Sequence, residues 1–300
     1  MEGVLPSIEF LKAFGTDGKR LAHGRVGVIG GGNSAIDAAR TALRFEDVDQ
    51  VTILYRRTRA EMPAFPEEIE AAEQEGIEIR TLVTPMRILA EGDRLTGLEC
   101  VRNALGDTDS SGRRRPVPIP ATEHTFELDT LIVAVGEEPG VGCLSGKGST
   151  GVDVTDWRTV RVNHGDLQTS REGVFAAGDA VTGPGSVVEA IADGKRAARS
   201  ILRFLRGEPL IQPTTSRLPA VYVAPGNGDD AGVRKAPRAE TPHASPPWRT
   251  RSFAEIEAAL SLREAVDEAH RCLRCDLEFT TPDEVTSDRS KAATPGRQTA

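Results

Sequence analysis

The chain has 300 residues, enough for about two domains of the usual size. Apolar residues make up 38% of it, and 45 acidic residues outnumber 37 basic ones, giving a net charge of −8. This balance argues against a nucleic-acid partner, because phosphate backbones require a basic surface. No segment approaches the ~20 apolar residues of a membrane span, no signal-peptide pattern opens the chain, and four cysteines make no disulfide framework. We therefore expect a cytoplasmic protein.

Strands and helices alternate through the first third of the chain. Residues 25–29 (RVGVI) predict a buried strand that ends in glycines, and residues 34–43 predict an amphipathic helix. Two more strands are predicted at 51–55 and 77–83, with a charged helix at 66–74 between them. This order indicates βαβ units around a parallel sheet, so the predicted fold class is α/β with a Rossmann-like NAD(P)-binding domain.

A different pattern follows this alternation. Short apolar segments at 86–90, 95–101 and 125–128 are separated by turn residues, which predicts an antiparallel β insertion. Residues 131–135 (LIVAV) then predict a further buried strand.

The second half of the chain contains fewer regular segments. Residues 173–177 (GVFAA) predict a buried strand, and residues 186–206 predict a long helix. Eight of the 19 prolines lie between residues 209 and 247, which predicts a linker or an extended arm. The pattern becomes helical again at residues 252–271.

The most specific motif is the glycine-rich turn between the first predicted strand and helix. It fits the dinucleotide-binding pattern GxGxxG/A, with Gly30, Gly32 and Ala35 at the three positions. Gly30 permits a tight turn, Gly32 lets the backbone approach a pyrophosphate, and Ala35 permits close packing of the helix on the strand. The helix N-terminus offers unpaired N–H groups and partial positive charge. The alternative is a turn that binds nothing.

The second strand indicates which dinucleotide binds. NAD-binding domains place an Asp or Glu roughly 20 residues beyond the glycines to hold the ribose 2′-hydroxyl. Here the strand is followed by Arg56 and Arg57, whose guanidinium groups suit a 2′-phosphate. The pattern favours NADPH over NADH, the alternative being a solvated basic loop.

A second candidate site follows the predicted strand at 173–177. The carboxylate of Asp179, next to Gly178, can accept hydrogen bonds from a polyol hydroxyl, and the helix start beyond it can face a phosphate. An Asp at a strand end is as often only a turn or helix cap, and that alternative stays open.

Four ordered segments together resemble the small, flavin-containing subunit of NADPH-dependent glutamate synthase and its relatives, within the pyridine nucleotide–disulfide oxidoreductase superfamily. They are residues 30–40 (GGGNSAIDAAR), 51–64 (VTILYRRTRAEMPA), 131–139 (LIVAVGEEP) and 173–198 (GVFAAGDAVTGPGSVVEAIADGKRAA). The resemblance covers about residues 3–206.

The resemblance implies an FAD domain into which an NADPH domain is inserted. Six regions are expected in chain order: residues 1–23, a partial FAD-domain or connector segment; 24–140, the NAD(P)H-binding Rossmann domain; 141–207, the C-terminal part of the FAD-binding domain; 208–250, a proline-rich linker; 251–280, a helix with a CxxC motif; and 281–300, a disordered tail.

The resemblance also assigns roles to individual residues. The NADPH pyrophosphate would be held by the turn and helix start, namely Gly30, Gly31, Gly32, Asn33, Ser34 and Ala35. Arg56 and Arg57 would hold the 2′-phosphate, and Gly136 would lie near the nicotinamide. Gly178 and Asp179 would contact the ribityl and phosphate part of FAD, and Val187 would approach the isoalloxazine.

The chain departs from the family pattern at its N-terminal side. The family begins with its own GxGxxG motif, which binds the ADP half of FAD, preceded by a cysteine-rich iron–sulfur segment. Neither is found in these 300 residues. We therefore expect a truncated reading frame or one half of a split enzyme, with a redox partner subunit that carries the missing FAD and iron–sulfur half.

The segment 264–279 (EAVDEAHRCLRCDLEF) resembles a tail found on some of these oxidoreductases. Cys272 and Cys275 form a CxxC motif, which can supply half of an iron–sulfur or zinc site shared with a partner. Reduced thiols or a disulfide are the alternative.

The expected function is an NAD(P)H-dependent, FAD-linked oxidoreductase. It would act as an electron-input module that passes a hydride from NADPH to flavin and onward to iron–sulfur centres or a partner subunit. Because the cofactors carry this chemistry, no catalytic side chain is expected. The alternatives are a catalytically incomplete NADPH-binding module and a partner-docking protein.

Overall fold

The computed structural model describes residues 1–109, 112–137, 139–144, 151–210 and 238–270. The chain divides into two compact units, the first formed by Met1–Pro139 with Ala244–Ile256 and the second by Gly140–His243 with Glu257–Ala300. Within the described ranges, no helix combines the length and the apolar character needed to span a bilayer.

All strands of regular length lie in the first unit of the described chain. They are β1 (Val4–Pro6), β2 (Gly24–Ile29), β3 (Val48–Tyr55), β4 (Glu78–Thr81), β5 (Val83–Glu91), β6 (Arg94–Thr108), β7 (Arg114–Pro118), β8 (His124–Glu127) and β9 (Thr130–Val133). The described helices are α1 (Ser7–Asp17), α2 (Asn33–Leu43), α3 (Pro66–Gln74), α4 (Asp179–Thr182), α5 (Val187–Leu205), α6 (Pro246–Arg249) and α7 (Leu262–His270).

Five parallel strands form the central sheet, in the order β1-β9-β2-β3-β4. Its inward side chains are almost fully buried, including Val28, Ile53 and Ile132. Ile36 and Ala39 on α2 pack into the same core, as the helical spacing of apolar residues predicts. The predicted Rossmann-like α/β fold is confirmed.

An antiparallel sheet forms the predicted insertion, with β6 at its centre paired to β5, β7 and β8. The strand predicted at residues 77–83 is divided between the two sheets, because Leu82 adopts a left-handed φ of 58° that turns the chain from β4 into β5. Strand β7 is missing from the sequence expectation. Its sequence, RRPVP, contains two prolines, which sheets tolerate at their edges but which argue against a strand in a sequence pattern.

The first 23 residues are expected from the resemblance to be a partial FAD-domain or connector segment. The structure adds them to the first unit, where β1 pairs in parallel with β9 along the sheet edge. Phe10 of α1 is fully buried, with its ring 5.7 Å from that of Phe45. The parallel partner of β1 lies more than 120 residues away in sequence, so no local pattern reveals this pairing.

The second unit contains single β-bridges and the helices α4, α5 and α7 in its described part. The strand predicted at 173–177 is replaced by one antiparallel bridge between Phe175 and Gln168, and its residues are only half-buried or exposed. A strand requires pairing along its length, which this single bridge does not provide. The long helix predicted at 186–206 is confirmed as α5.

The C-terminal region departs from its predicted boundaries. Helix α6 lies within the region expected to be a proline-rich linker, and the helix predicted at 252–271 begins only at α7. Ser261 starts α7 through a capping box, in which its hydroxyl accepts from Glu264 N at 3.3 Å. Cys272, Cys275 and the tail at 281–300 lie outside the described residues.

Candidate functional site

The glycine-rich turn connects β2 to α2 at the carboxyl end of the parallel sheet. Gly30 has a φ of +147°, and its N–H donates to Leu54 O on β3 at 3.1 Å. A Cβ at Gly30 would lie 2.3 Å from Ala134 O, immediately after β9. Only glycine therefore fits this position, because a side chain at Gly30 would clash with the backbone carbonyl of Ala134.

The next two glycines play different roles. A Cβ at Gly31 would lie 2.5 Å from the ring of Tyr55, whose hydroxyl donates to Glu61 O at 2.7 Å. At Gly32, by contrast, the nearest described atom to such a Cβ would be Pro63 Cγ, 3.9 Å away. The space beside Gly32 is open, so glycine is not required there by the protein's own packing.

Helix α2 begins directly beyond this open space. Gly32 is the N-cap, and its carbonyl accepts from Ala35 N at 3.0 Å. Among the described residues, the N–H groups of Asn33 and Ser34 have no hydrogen-bond partner, as is usual for the first turn of a helix. The Asn33 side chain accepts from Phe65 N at 3.0 Å, which fixes the helix start against the following loop. Open amides, helix dipole and unfilled space fit a pyrophosphate.

The arginine loop, residues 56–61, follows β3 at the same edge of the sheet. Arg56 is exposed, and its guanidinium has no hydrogen-bond partner within the described chain. Arg57 is only 3% exposed, and its Nη2 donates to Asp109 Oδ2 at 2.7 Å. The structure therefore presents one of the two predicted arginines at the surface and holds the other inside the protein.

Gly136 follows β9, which lies beside β2 in the sheet. Ala134 N donates to Ile29 O at 2.8 Å, so the chain segments that leave these two strands run side by side. Gly136 itself is exposed and has a φ of +127°. The chain order reverses between β2 and β9, and ligands of doubly wound sheets bind at such a switch point. The turn of residues 30–35, Arg56 and Gly136 thus share one edge.

The second unit holds the residues expected to contact FAD. Gly178 precedes α4 with a φ of +65°, and a Cβ there would lie 3.6 Å from Ala190 Cβ on α5. Asp179 is exposed, and its carboxylate has no hydrogen-bond or ion-pair partner among the described residues, which fits hydrogen bonds from polyol hydroxyls. Val187 at the start of α5 is 75% exposed.

A capping box at the start of α5 is absent from the sequence expectation. Ser186 N donates to the Glu189 carboxylate at 2.9 Å, and Ser186 Oγ accepts from Glu189 N at 3.3 Å. These bonds from the backbone and hydroxyl of Ser186 lower the pKa of Glu189. The spacing Ser-x-x-Glu is visible in the sequence and predicts this cap.

The two described cysteines do not form a metal site. Cys100 is buried on β6, and burial raises the pKa of its thiol to about 12, while Cys143 is exposed. No cluster of three or more His, Cys, Asp or Glu side chains suited to a metal is found in the described part of the chain.

Comparisons with known proteins find a matching family and similar sequences. A family model described as pyridine nucleotide-disulphide oxidoreductase matches residues 5–194. The NADP(+)-dependent formate dehydrogenase subunit beta of Moorella thermoacetica is 39% identical to the chain, covering 91% of it and 39% of the relative. The glutamate synthase [NADPH] small chain of Azospirillum brasilense is 37% identical, covering 66% of the chain and 40% of the relative.

A solved structure shows the same fold. FprA of Mycobacterium tuberculosis in complex with NADPH has a TM-score of 0.52 at 17% identity, covering 69% of this chain and 60% of that one. The chain spans about two fifths of the length of the two curated relatives. The family model covers more than half of the chain, in the segment that contains the glycine turn and both candidate sites. The chain therefore belongs to the pyridine nucleotide-disulphide oxidoreductase family.

Proposed function

We propose that the chain is the NADPH-binding, electron-input part of a flavin-linked oxidoreductase. The observation that carries this proposal is the open helix start beyond Gly32, which lies at the same sheet edge as the exposed guanidinium of Arg56. The first feature suits a pyrophosphate and the second a 2′-phosphate. The name of the Moorella relative, which specifies NADP(+), agrees with this choice of nucleotide.

The protein's own contribution is binding and orientation. The amides of Asn33 and Ser34 would hold the pyrophosphate, and Arg56 the 2′-phosphate, so that the nicotinamide end extends toward Gly136. When bound, NADPH and flavin supply the hydride chemistry, and no side-chain acid or base is needed for it.

The second unit is proposed to supply part of an FAD site. The exposed carboxylate of Asp179 would accept from ribityl hydroxyls, while Gly178 brings the backbone close to the start of α5. Apolar residues on α5 are strongly exposed, namely Val187, Val188, Ile191, Leu202 and Leu205. Exposed apolar patches of this kind mark interaction surfaces, which supports a redox partner or further segment that completes the flavin site.

The visible spectrum of the purified chain tests this function. Flavin absorption bands that bleach on addition of NADPH are the expected result when the completing segment is co-expressed. A colourless chain that still binds NADPH would instead support the alternative of an NADPH-binding module that turns nothing over. A chain that binds neither cofactor would contradict both functions.

A shared iron–sulfur or zinc site at Cys272 and Cys275 also stays a prediction. Iron and zinc analysis of the complex tests it, with Cys272→Ser as the variant that should lose the metal.

A cytoplasmic location is also proposed. Free cysteines such as Cys143 stay reduced in the cytoplasm.

A further inference from the structure

The arginine loop is tied to the antiparallel sheet through Arg57. The Arg57 side chain is 4% exposed, and its Nε donates to Arg114 O on β7 at 2.7 Å. Its Nη2 donates to Asp109 Oδ2, also at 2.7 Å, immediately beyond β6. The guanidinium is thus buried, with its Nε and Nη2 donors bonded within the protein, which leaves Arg57 poorly placed to bind a phosphate.

The backbone of Arg56 is held by a second side chain of the same sheet. Asn103 on β6 is 4% exposed, and its Nδ2 donates to Arg56 O at 2.8 Å. The same amide donates to Thr84 Oγ1 on β5 at 2.8 Å, which fixes its orientation. The carbonyl of Arg56 therefore points into the antiparallel sheet, while its side chain is exposed.

A third contact closes the far end of the loop. Arg114 Nε donates to Glu61 Oε1 at 2.7 Å, and the Glu61 carboxylate accepts from Thr58 N at 3.1 Å. The arginine loop is therefore fixed by residues of β6, β7 and their connection at its start and end. Holding the backbone of a binding loop in one conformation lowers the entropy cost of binding, so these contacts bear on the affinity of Arg56 for its ligand.

We propose that the antiparallel sheet sets the nucleotide preference of the neighbouring parallel sheet. Arg57 is an internal anchor rather than a phosphate ligand, and Asp109 and Asn103 are positioning residues that hold Arg56 toward the 2′-phosphate. This inference rests on the proposed NADPH site, and it makes specific predictions about residues that do not contact the nucleotide.

The test compares dissociation constants for NADPH and NADH, measured by calorimetry on the full chain. Asp109→Ala should raise the dissociation constant for NADPH roughly three- to thirtyfold, a range that coupled residues of one network show. NADH, which lacks the 2′-phosphate, should bind unchanged. Asp107→Ala is the matched control, because Asp107 is an exposed carboxylate near the end of the same strand. It should leave both constants unchanged.

A double variant separates positioning from general damage to the fold. If Asp109 acts through Arg56, then Asp109→Ala should add no further loss of NADPH affinity in a chain that already carries Arg56→Ala. Independent, additive losses in the double variant would overturn the proposal, as would equal losses for NADPH and NADH. Tighter NADPH binding by Asp109→Ala would also overturn it, since Asp109 would then be competing with the phosphate for Arg57.

Two further outcomes keep this inference distinct from the proposed function. If the wild-type chain binds neither nucleotide, both fail together. If Arg56→Ala removes the preference for NADPH but Asp109→Ala retains it, only the positioning role fails. If the Asp109→Ala variant does not show the native circular dichroism spectrum, Asp109→Asn replaces it in the test. The dissociation constant for NADPH should again rise, because asparagine keeps a hydrogen-bond acceptor and removes the charge.

Discussion

The guanidinium Nη2 of Arg249 donates a hydrogen bond to Gln74 Oε1 at 3.0 Å, although the two residues are 175 positions apart. Arg249 is 2% exposed, and its Nε lies 3.5 Å from Glu75 Oε1. Near it, the Phe253 ring lies 4.4 Å from the ring of Phe14. The segment Ala244–Ile256 is thus a packed part of the first unit, held on the end of α3.

Glu75 is the centre of this contact and should be important for stability. Its carboxylate is fully buried and accepts from Arg40 Nη2 at 2.8 Å and Arg44 Nη1 at 3.0 Å. Glu75→Gln would remove the carboxylate that pairs with the buried Arg44 and leave Arg40 with Glu68 alone, and removing one partner of a buried ion pair costs about 3–5 kcal/mol. Urea denaturation measures the free energy of unfolding.

Glu73→Gln is the matched control for this change. Glu73 lies on α3, two residues before Glu75, and pairs with Arg59, but both side chains of this pair are more than 40% exposed. Exposed ion pairs contribute about 0–1 kcal/mol, so this variant should unfold close to the wild type. An equal decrease in the free energy of unfolding in the two variants would show that the burial of Glu75 does not contribute to stability.

The stability of the first unit should fall in acid because of Glu75. Burial raises the pKa of this carboxyl, but the hydrogen bonds and charges of Arg40 and Arg44 outweigh burial and hold the pKa below its usual value. The unfolded chain takes up the proton near pH ~4.3, so at and below that pH it binds more protons than the folded chain. The contribution of Glu75 is therefore complete above this pH and is lost as the pH falls through the folded pKa.

Urea midpoints across a pH series from neutral to acid measure this dependence. Other carboxylates also titrate in acid. One of them is Asp129, because hydrogen bonds from Arg25 lower its pKa. The difference between wild type and Glu75→Gln isolates Glu75: it should shrink as the pH falls. A difference that is constant across the series would be incompatible with a lowered pKa at Glu75.

Two glycines of the same turn should respond differently to alanine. Gly30→Ala places a Cβ 2.3 Å from Ala134 O and forces alanine to a φ of +147°. It should destabilise the protein by about 1–3 kcal/mol or more, the usual cost of such backbone strain. Gly32→Ala has room for its Cβ and should lose less stability than Gly30→Ala, its cost being that alanine is a poorer N-cap than glycine. It should bind NADPH and NADH weakly, because the methyl group fills the approach to the pyrophosphate.

Thermal melts and nucleotide titrations distinguish these two effects. A Gly32→Ala chain that is stable and binds both nucleotides normally would remove the glycine turn from the binding site.

Arg56 should determine the preference between nucleotides. Arg56→Ala removes the proposed charged hydrogen-bond partner of the 2′-phosphate, so we expect a loss of about 1.5–3 kcal/mol, or roughly ten- to a hundredfold in NADPH affinity. NADH affinity should not change. Arg59→Ala is the control within the loop, because Arg59 is exposed but paired with Glu73. The nicotinamide fluorescence of the bound nucleotides reports both affinities, and a parallel loss for both nucleotides would refute the assignment.

The sequence predicts the parallel sheet and the glycine turn because their signals are local. An apolar strand, three glycines and an amphipathic helix occur within 20 residues, and the structure confirms this order. The same locality explains what is missed. The contacts of Arg57 with Asp109 and of Arg56 with Asn103 join positions 52 and 47 residues apart. The periodicity of the sequence does not indicate which side chains of the antiparallel insertion will contact the arginine loop.

Other differences between the prediction and the structure arise where a sequence feature is compatible with two structures. Two adjacent arginines suggest a phosphate site, but only the structure shows that Arg57 is used inside the protein. The prolines before α6 suggest an extended arm, whereas Pro246 and Pro247 also suit the first turn of a helix. Arg249, in the same helix, is charged. Its burial could not be predicted from the pattern of hydrophobic residues.

Isothermal titration calorimetry of the full chain with NADPH and NADH tests the central claim most directly. The site at Gly32 and Arg56 predicts saturable heat with NADPH and weaker binding of NADH by roughly ten- to a hundredfold. No heat with either nucleotide, or equal affinity for both, would contradict it.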